Sequence, residues 1–238
     1  MADLFFGNLD LLKRAYFEVE KVDKYIDYDS HTFARILDIE PEFIFQYIDK
    51  IFEEKEWLSR YEDIRDYSFL WMRQDYKELM TKVVWRIFER EQGPSFGSNL
   101  EVFFLTRENE ESKPGIVERQ DEFLNELVER YCKDSEFMEF IFDLFAEFPP
   151  ERRRQFVAMF VKGNRNFQDF EELRLEPSHW EWEGSAAPML QGRASYLESL
   201  LPFLSTVDLL QHRQYVERDI QEIRMKIEGE KKRDFMKE

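Results

Sequence analysis

Three histidines and one cysteine are all the soft metal ligands this chain of 238 residues has. A structural zinc needs four Cys or His ligands at close spacing, and here they are widely separated. One Glu-x-x-His step exists, Glu176-Pro177-Ser178-His179. A di-iron bundle takes two such steps on helices, and Pro177 places this one in a turn. Cys132 falls near the end of a predicted helix, where the dipole raises a thiol pKa, so it reads as a core thiol. No Gly-x-Ser-x-Gly elbow and no G-x-x-x-x-G-K-[ST] phosphate loop occurs, which removes two common routes to acyl and phosphoryl chemistry. No metal and no cofactor is expected.

Three other groups of residues carry chemistry. Paired carboxylates recur (Glu53-Glu54, Glu110-Glu111, Glu171-Glu172), but among 51 acids they read first as solvated faces. Two that met in a helical cavity with raised pKa values would suit acid–base catalysis. Arg152, Arg153 and Arg154 open a predicted helix against its dipole. Such a run can grip a phosphate or a partner's carboxylates, although so acidic a chain favours pairing with its own acids. His179, Trp180 and Trp182 lie in the proline- and glycine-bounded stretch LEPSHWEWEGSAAP, residues 175–188. Tryptophans there can anchor a partner or plug the seam between helical layers as a self-held loop.

The elements that would position these groups are helices. Phe137, Phe140, Ile141, Leu144, Phe145 and Phe148 recur at steps of three and four, the spacing of one helix face. Pro149-Pro150 stops that helix and opens the next, whose buried side is Phe156, Val157, Phe160 and Val161. The result is a helical hairpin. Residues 33–51 echo it: Gln46, Tyr47, Ile48 and Ile51 stand at the same offsets from Pro41 as Gln155, Phe156, Val157 and Phe160 do from Pro150. That echo hints at a degenerate helical repeat.

Elsewhere, Leu9, Leu12, Tyr16 and Val19 mark a first helix, with Asp29 or Ser30 placed to cap the second. Further helices are predicted through about Trp57, over Tyr61–Met72 and Gln74–Gln92, from Ile116 to Cys132, around Phe167–Leu173, and through Tyr196–Leu201. A last one starts near Val207, with Val216, Ile220, Ile223 and Ile227 as its stripe and a frayed tail beyond Gly229. Residues 93–117 form the main irregular stretch, in which Leu100–Leu105 fits a short strand or a helical turn equally well. Eight Gly and eight Pro are too few for the turns of an all-β fold.

The net charge of −17 repels phosphate, so nucleic acid would need a local basic groove, and anionic lipid is disfavoured for the same reason. A single cysteine excludes an internal disulfide and suits a reducing cytoplasm. No signal-peptide pattern opens the sequence, and no apolar run approaches the length of a membrane span.

The order of residues over roughly 135–238 resembles a known family. Glu176-Pro177-Ser178-His179-Trp180-Glu181-Trp182-Glu183-Gly184-Ser185, a helix with Arg193 and Leu197–Leu201, His212-Arg213-Gln214-Tyr215 and Glu230-Lys231-Lys232-Arg233-Asp234-Phe235 are similar to the C-terminal helical region of large bacterial NACHT-type (STAND) ATPases. The resemblance implies a helical-repeat sensor or interaction region that belongs to a longer signalling or defence ATPase. The ATPase signature itself is not in this sequence.

The sequence therefore predicts an all-α chain of stacked antiparallel hairpins, an irregular solenoid of the HEAT or tetratricopeptide kind with a long C-terminal helix. Residues 1–92 and 118–238 form two helical sets of one array, separated by 93–117. The expected function is non-catalytic recognition of a protein partner. An enzyme with paired carboxylates in a helical cavity, and a nucleic-acid-binding repeat using Arg152–Arg154, are the alternatives.

Overall fold

The structure, a computed structural model, describes residues 7–22, 27, 30–53, 67–90, 100–104, 115–145, 148–176 and 183–235. Every regular element among them is helical: α1 (Leu9–Val22), α2 (His31–Ile39), α3 (Phe43–Glu53), α4 (Ser68–Met72), α5 (Tyr76–Arg90), α6 (Ile116–Tyr131), α7 (Ser135–Phe145), α8 (Pro150–Gly163), α9 (Phe167–Glu172), α10 (Ala187–Glu198) and α11 (Leu210–Phe235), with short 3-10 turns between some of them. No described helix is long and apolar enough to cross a membrane. The chain divides into two compact units, Met1–Phe123 and Leu124–Glu238, the division falling inside α6.

In the first unit, aromatic residues on helix faces meet in one core. Phe33 of α2 lies within ring contact of Tyr16, Phe43 and Tyr47, pairs that each add about 0.5–1.5 kcal/mol beyond area burial. Ser30, at the start of α2, makes no side-chain cap and takes the left-handed conformation, φ 57°. The cap is supplied from three residues earlier, where the Asp27 carboxylate accepts the N–H groups of Thr32 and Phe33 at 2.9 Å each. Asp29 lies outside the described residues.

Of the ambiguous stretch Leu100–Leu105, Leu105 lies outside the described residues and Glu101–Phe103 is a 3-10 turn. Its buried Val102, Phe103 and Phe104 fill a gap beside Trp71, whose indole N–H donates to the Phe103 carbonyl at 2.6 Å. On α5 and α3, Arg86 and Arg90 converge on the Asp49 carboxylate. Burial opposes the charge on Asp49, but the two guanidiniums hold its carboxyl below the ordinary range.

The second unit contains the predicted hairpin. Pro149 is extended at the N-cap of α8 and Pro150 occupies its first turn, where the missing N–H costs nothing. Phe142 of α7 meets Phe160 of α8 edge to face, centroids 5.7 Å apart. Met138 and Phe142 are buried together with Phe137, Ile141 and Leu144, so α7 buries a broader face than one stripe. Gln155 is exposed while Phe156 and Val157 are buried, and Gln46, Tyr47 and Ile48 of the first unit share that pattern.

Asn164 closes the far end of α8. Its amide donates to the Cys132 carbonyl and to Asp169, both at 2.7 Å. Gly163 beside it leaves room for the Cys132 thiol, since a Cβ there would lie 2.5 Å from that sulfur. Val216, Ile220, Ile223 and Ile227 of α11 are all buried, as their spacing predicts. The helix continues past Gly229 to Phe235, with Glu228–Lys231 and Glu230–Arg233 pairs along the expected frayed tail.

Candidate functional site

The stretch from α9 into α10 builds a cleft in the second unit. Leu173 ends α9 in an extended conformation. From there the burial alternates: Leu173 and Leu175 are buried, Arg174 is exposed and Glu176 is half-buried, the period of an extended chain with one face inward. Leu197 of α10 and Tyr215 and Asp219 of α11 complete the walls of a cavity of about 240 Å³. Tyr215 and Asp219 stand four residues apart, so one helix face presents both.

Packing holds these groups in place. Phe167 and Phe170 of α9 bracket Tyr215 edge-on, with centroids at 5.9 and 6.3 Å. The same two rings enclose His212, one turn earlier on α11. His212 is 1 % exposed, and neither ring nitrogen has a well-formed hydrogen bond among the described residues. Burial pushes its pKa below the ordinary value, with Arg165 adding to that and the Asn166 backbone and Asp208 opposing it.

Three ion pairs decide the charge of the cleft. Glu176 is gripped by Arg193 of α10 at both carboxylate oxygens, 2.7 and 2.9 Å, a bidentate geometry of two charge-assisted hydrogen bonds. That hydrogen bond raises the pKa of Arg193 against the opposing effect of burial. Arg174 is answered by Asp143 of α7 at 3.2 Å, and burial pushes the Asp143 carboxyl up despite that arginine.

Asp219 is held more weakly. Its described cation is Arg218, 3.6 Å away, and neighbours in a helix point about 100° apart and do not face each other. Arg218 also lies over the Tyr215 ring, 5.0 Å from its centroid. Burial, with Glu222 and Glu176 as like charges, raises the Asp219 carboxyl against the pull of Arg218. The Tyr215 phenol is raised by burial and by Asp219.

The residues singled out in the sequence fall elsewhere. Arg153 is buried, its guanidinium 4.7 Å from the Tyr196 ring centroid. Arg152 lies over Phe148 at 4.0 Å, and Arg154 is half-buried. Successive positions on α8 thus send the three cations in different directions, two of them onto aromatic rings. Tyr196, pressed by that burial, has its phenol pushed up to about 12, and its hydroxyl meets no hydrogen-bond partner among the described residues. His179, Trp180 and Trp182 lie outside the described residues, immediately after the Glu176 that lines the cleft.

Asp219, Arg174 and Leu175 were not separable from other charged and apolar positions by sequence. Only the Tyr215–Asp219 spacing carried a signal, and α11 has several such pairs. Among the described residues no group of three or more His, Cys, Asp or Glu is placed to hold a metal. No protein family, no curated protein and no solved structure matches this chain.

Proposed function

We propose that the chain is a non-catalytic, helical protein-interaction or sensor module whose second unit receives part of a partner protein at the α10–α11 cleft. The observation behind this reading is the cleft itself: Leu173, Leu175 and Leu197 line it together with the charged Arg174, Glu176 and Asp219. Apolar contact with a few fixed polar groups is the general form of a recognition site. At about 240 Å³ it is smaller than the ~300–1,000 Å³ typical of drug-sized ligands and suits one protruding side chain. In this reading hairpins such as α2–α3 and α7–α8 are members of a degenerate repeat. The resemblance of residues 135–238 to the C-terminal region of NACHT-type ATPases agrees with it, since such a region would sense or bind beside a nucleotide-driven module.

A photo-crosslinking amino acid placed at Arg174, on the rim, tests the proposal against the same crosslinker at Lys82 on α5. In a lysate of the source organism, position 174 should trap a discrete protein that excess unaltered chain competes away, and position 82 should not. Equal trapping at both sites, or none at 174, overturns it.

A second reading has its own observation. Glu176 and Asp219 line one cavity, and two carboxyls there, one of them with its pKa raised by burial, suit acid–base work. Both Glu176 oxygens are engaged by Arg193, which leaves this reading the weaker. Turnover of any substrate that is abolished by Asp219→Asn with the fold intact would reverse the order.

A further inference from the structure

Of the charges around the cleft, two pairs are closely matched and the Asp219–Arg218 pair is looser. Arg193 takes both oxygens of Glu176, and Asp143 answers Arg174. Asp219, one-third exposed, pairs at 3.6 Å with Arg218, whose own side chain is 60 % exposed, and feels Arg193 at longer range, while both hydrogen-bonding nitrogens of Arg193 go to Glu176. Leu173, Leu175, Leu197 and Tyr215 line the same cavity.

We propose that this cleft takes one basic side chain, arginine or lysine, from an extended segment of a partner protein. The inference rests on the interaction reading and names the partner's chemistry. Long basic side chains lay an alkyl stem on apolar surface and keep the charged head at a polar group, and this cavity offers both, three leucines and the Asp219 carboxylate. A cation arriving at Asp219 would also relieve the like charges of Glu176 and Glu222 that act on it. The net charge of −17 steers basic partners towards the chain and acidic ones away. Arg174 is the cation among the lining residues, so its removal should help binding.

The test uses the full chain, isotope-labelled for NMR, titrated with acetylated alanine pentapeptides carrying a central arginine, lysine or citrulline. Citrulline keeps the shape of arginine without its charge. A basic peptide should shift the amides of Leu173, Leu175, Leu197 and Asp219 saturably, and citrulline should bind about tenfold more weakly, the usual value of one charge-assisted contact. Asp219→Asn should cost about tenfold in affinity, with the melting curve unchanged. Arg174→Gln should tighten binding, a gain that misfolding cannot produce. Equal binding of citrulline and arginine, non-saturating shifts spread over the acidic surface, or indifference to both substitutions would overturn the proposal. The two readings fail separately: a specific crosslink at position 174 without discrimination between arginine and citrulline leaves the interaction module and removes the basic side chain.

Discussion

His212 shows how a single residue sets a pH dependence. Burial between Phe167 and Phe170 disfavours its charged form, and its pKa lies below the ordinary 6.5. The unfolded chain therefore binds that proton more readily, and stability rises with pH. Its contribution is complete above the unfolded value and is lost as pH falls below it. Urea midpoints measured at pH 7 and pH 5 should fall less for His212→Phe than for the parent. Ser30 offers a second test. It holds a left-handed φ of 57° with its buried hydroxyl unpartnered among the described residues. Ser30→Gly removes both penalties, and denaturant unfolding should show a gain of about 1 kcal/mol. Gly163→Ala should act in the opposite sense, costing about 1–2 kcal/mol by overpacking against Cys132, with much of the loss recovered in the double variant Gly163→Ala/Cys132→Ala.

At the scale of elements, start signals and stop signals did not read equally well. Pro149-Pro150 marks the α7–α8 junction in sequence because proline acts on its own backbone, whatever surrounds it. The cap of α2 was not legible, because the carboxylate that provides it, Asp27, precedes the helix by more than one residue and is brought back by a turn. Asp27→Ala should cost about 1–2 kcal/mol, within the range of lost caps, while Asp27→Asn, which retains an accepting oxygen, should cost less. Both can be measured by thermal unfolding followed by circular dichroism. Leu100–Phe104 was ambiguous for a related reason. Four apolar residues around Glu101 fit strand or turn equally, and the turn places the Phe103 carbonyl to accept from the Trp71 indole N–H.

The whole molecule is governed by its charge. With −17 in excess, self-repulsion weakens the compact state at low ionic strength, and salt screens it over a Debye length of about 10 Å at 0.1 M. The melting temperature should rise between 10 mM and 300 mM sodium chloride, even though exposed pairs such as Lys82–Glu78 are screened as well, because such pairs are individually worth little. The same surface should show no retention on a duplex-DNA column at physiological salt. Tight, salt-sensitive retention would revive the nucleic-acid alternative.

What the sequence determined by itself was local: helix as the element type, the hairpin at Pro149-Pro150, the buried stripe of α11 and the sign of the surface. Each follows from side-chain spacing or backbone chemistry within a few residues. The charge pattern of the cleft was decided by tertiary structure alone. Glu176 meets Arg193 across 17 positions, Asp143 meets Arg174 across 31, and Asp219 pairs with its neighbour Arg218. In a chain with 51 acids and 34 Lys and Arg every such pairing is chemically plausible. Which of them forms depends on which helix faces the folded chain brings together, and ion pairing has no spacing rule beyond a single helix turn.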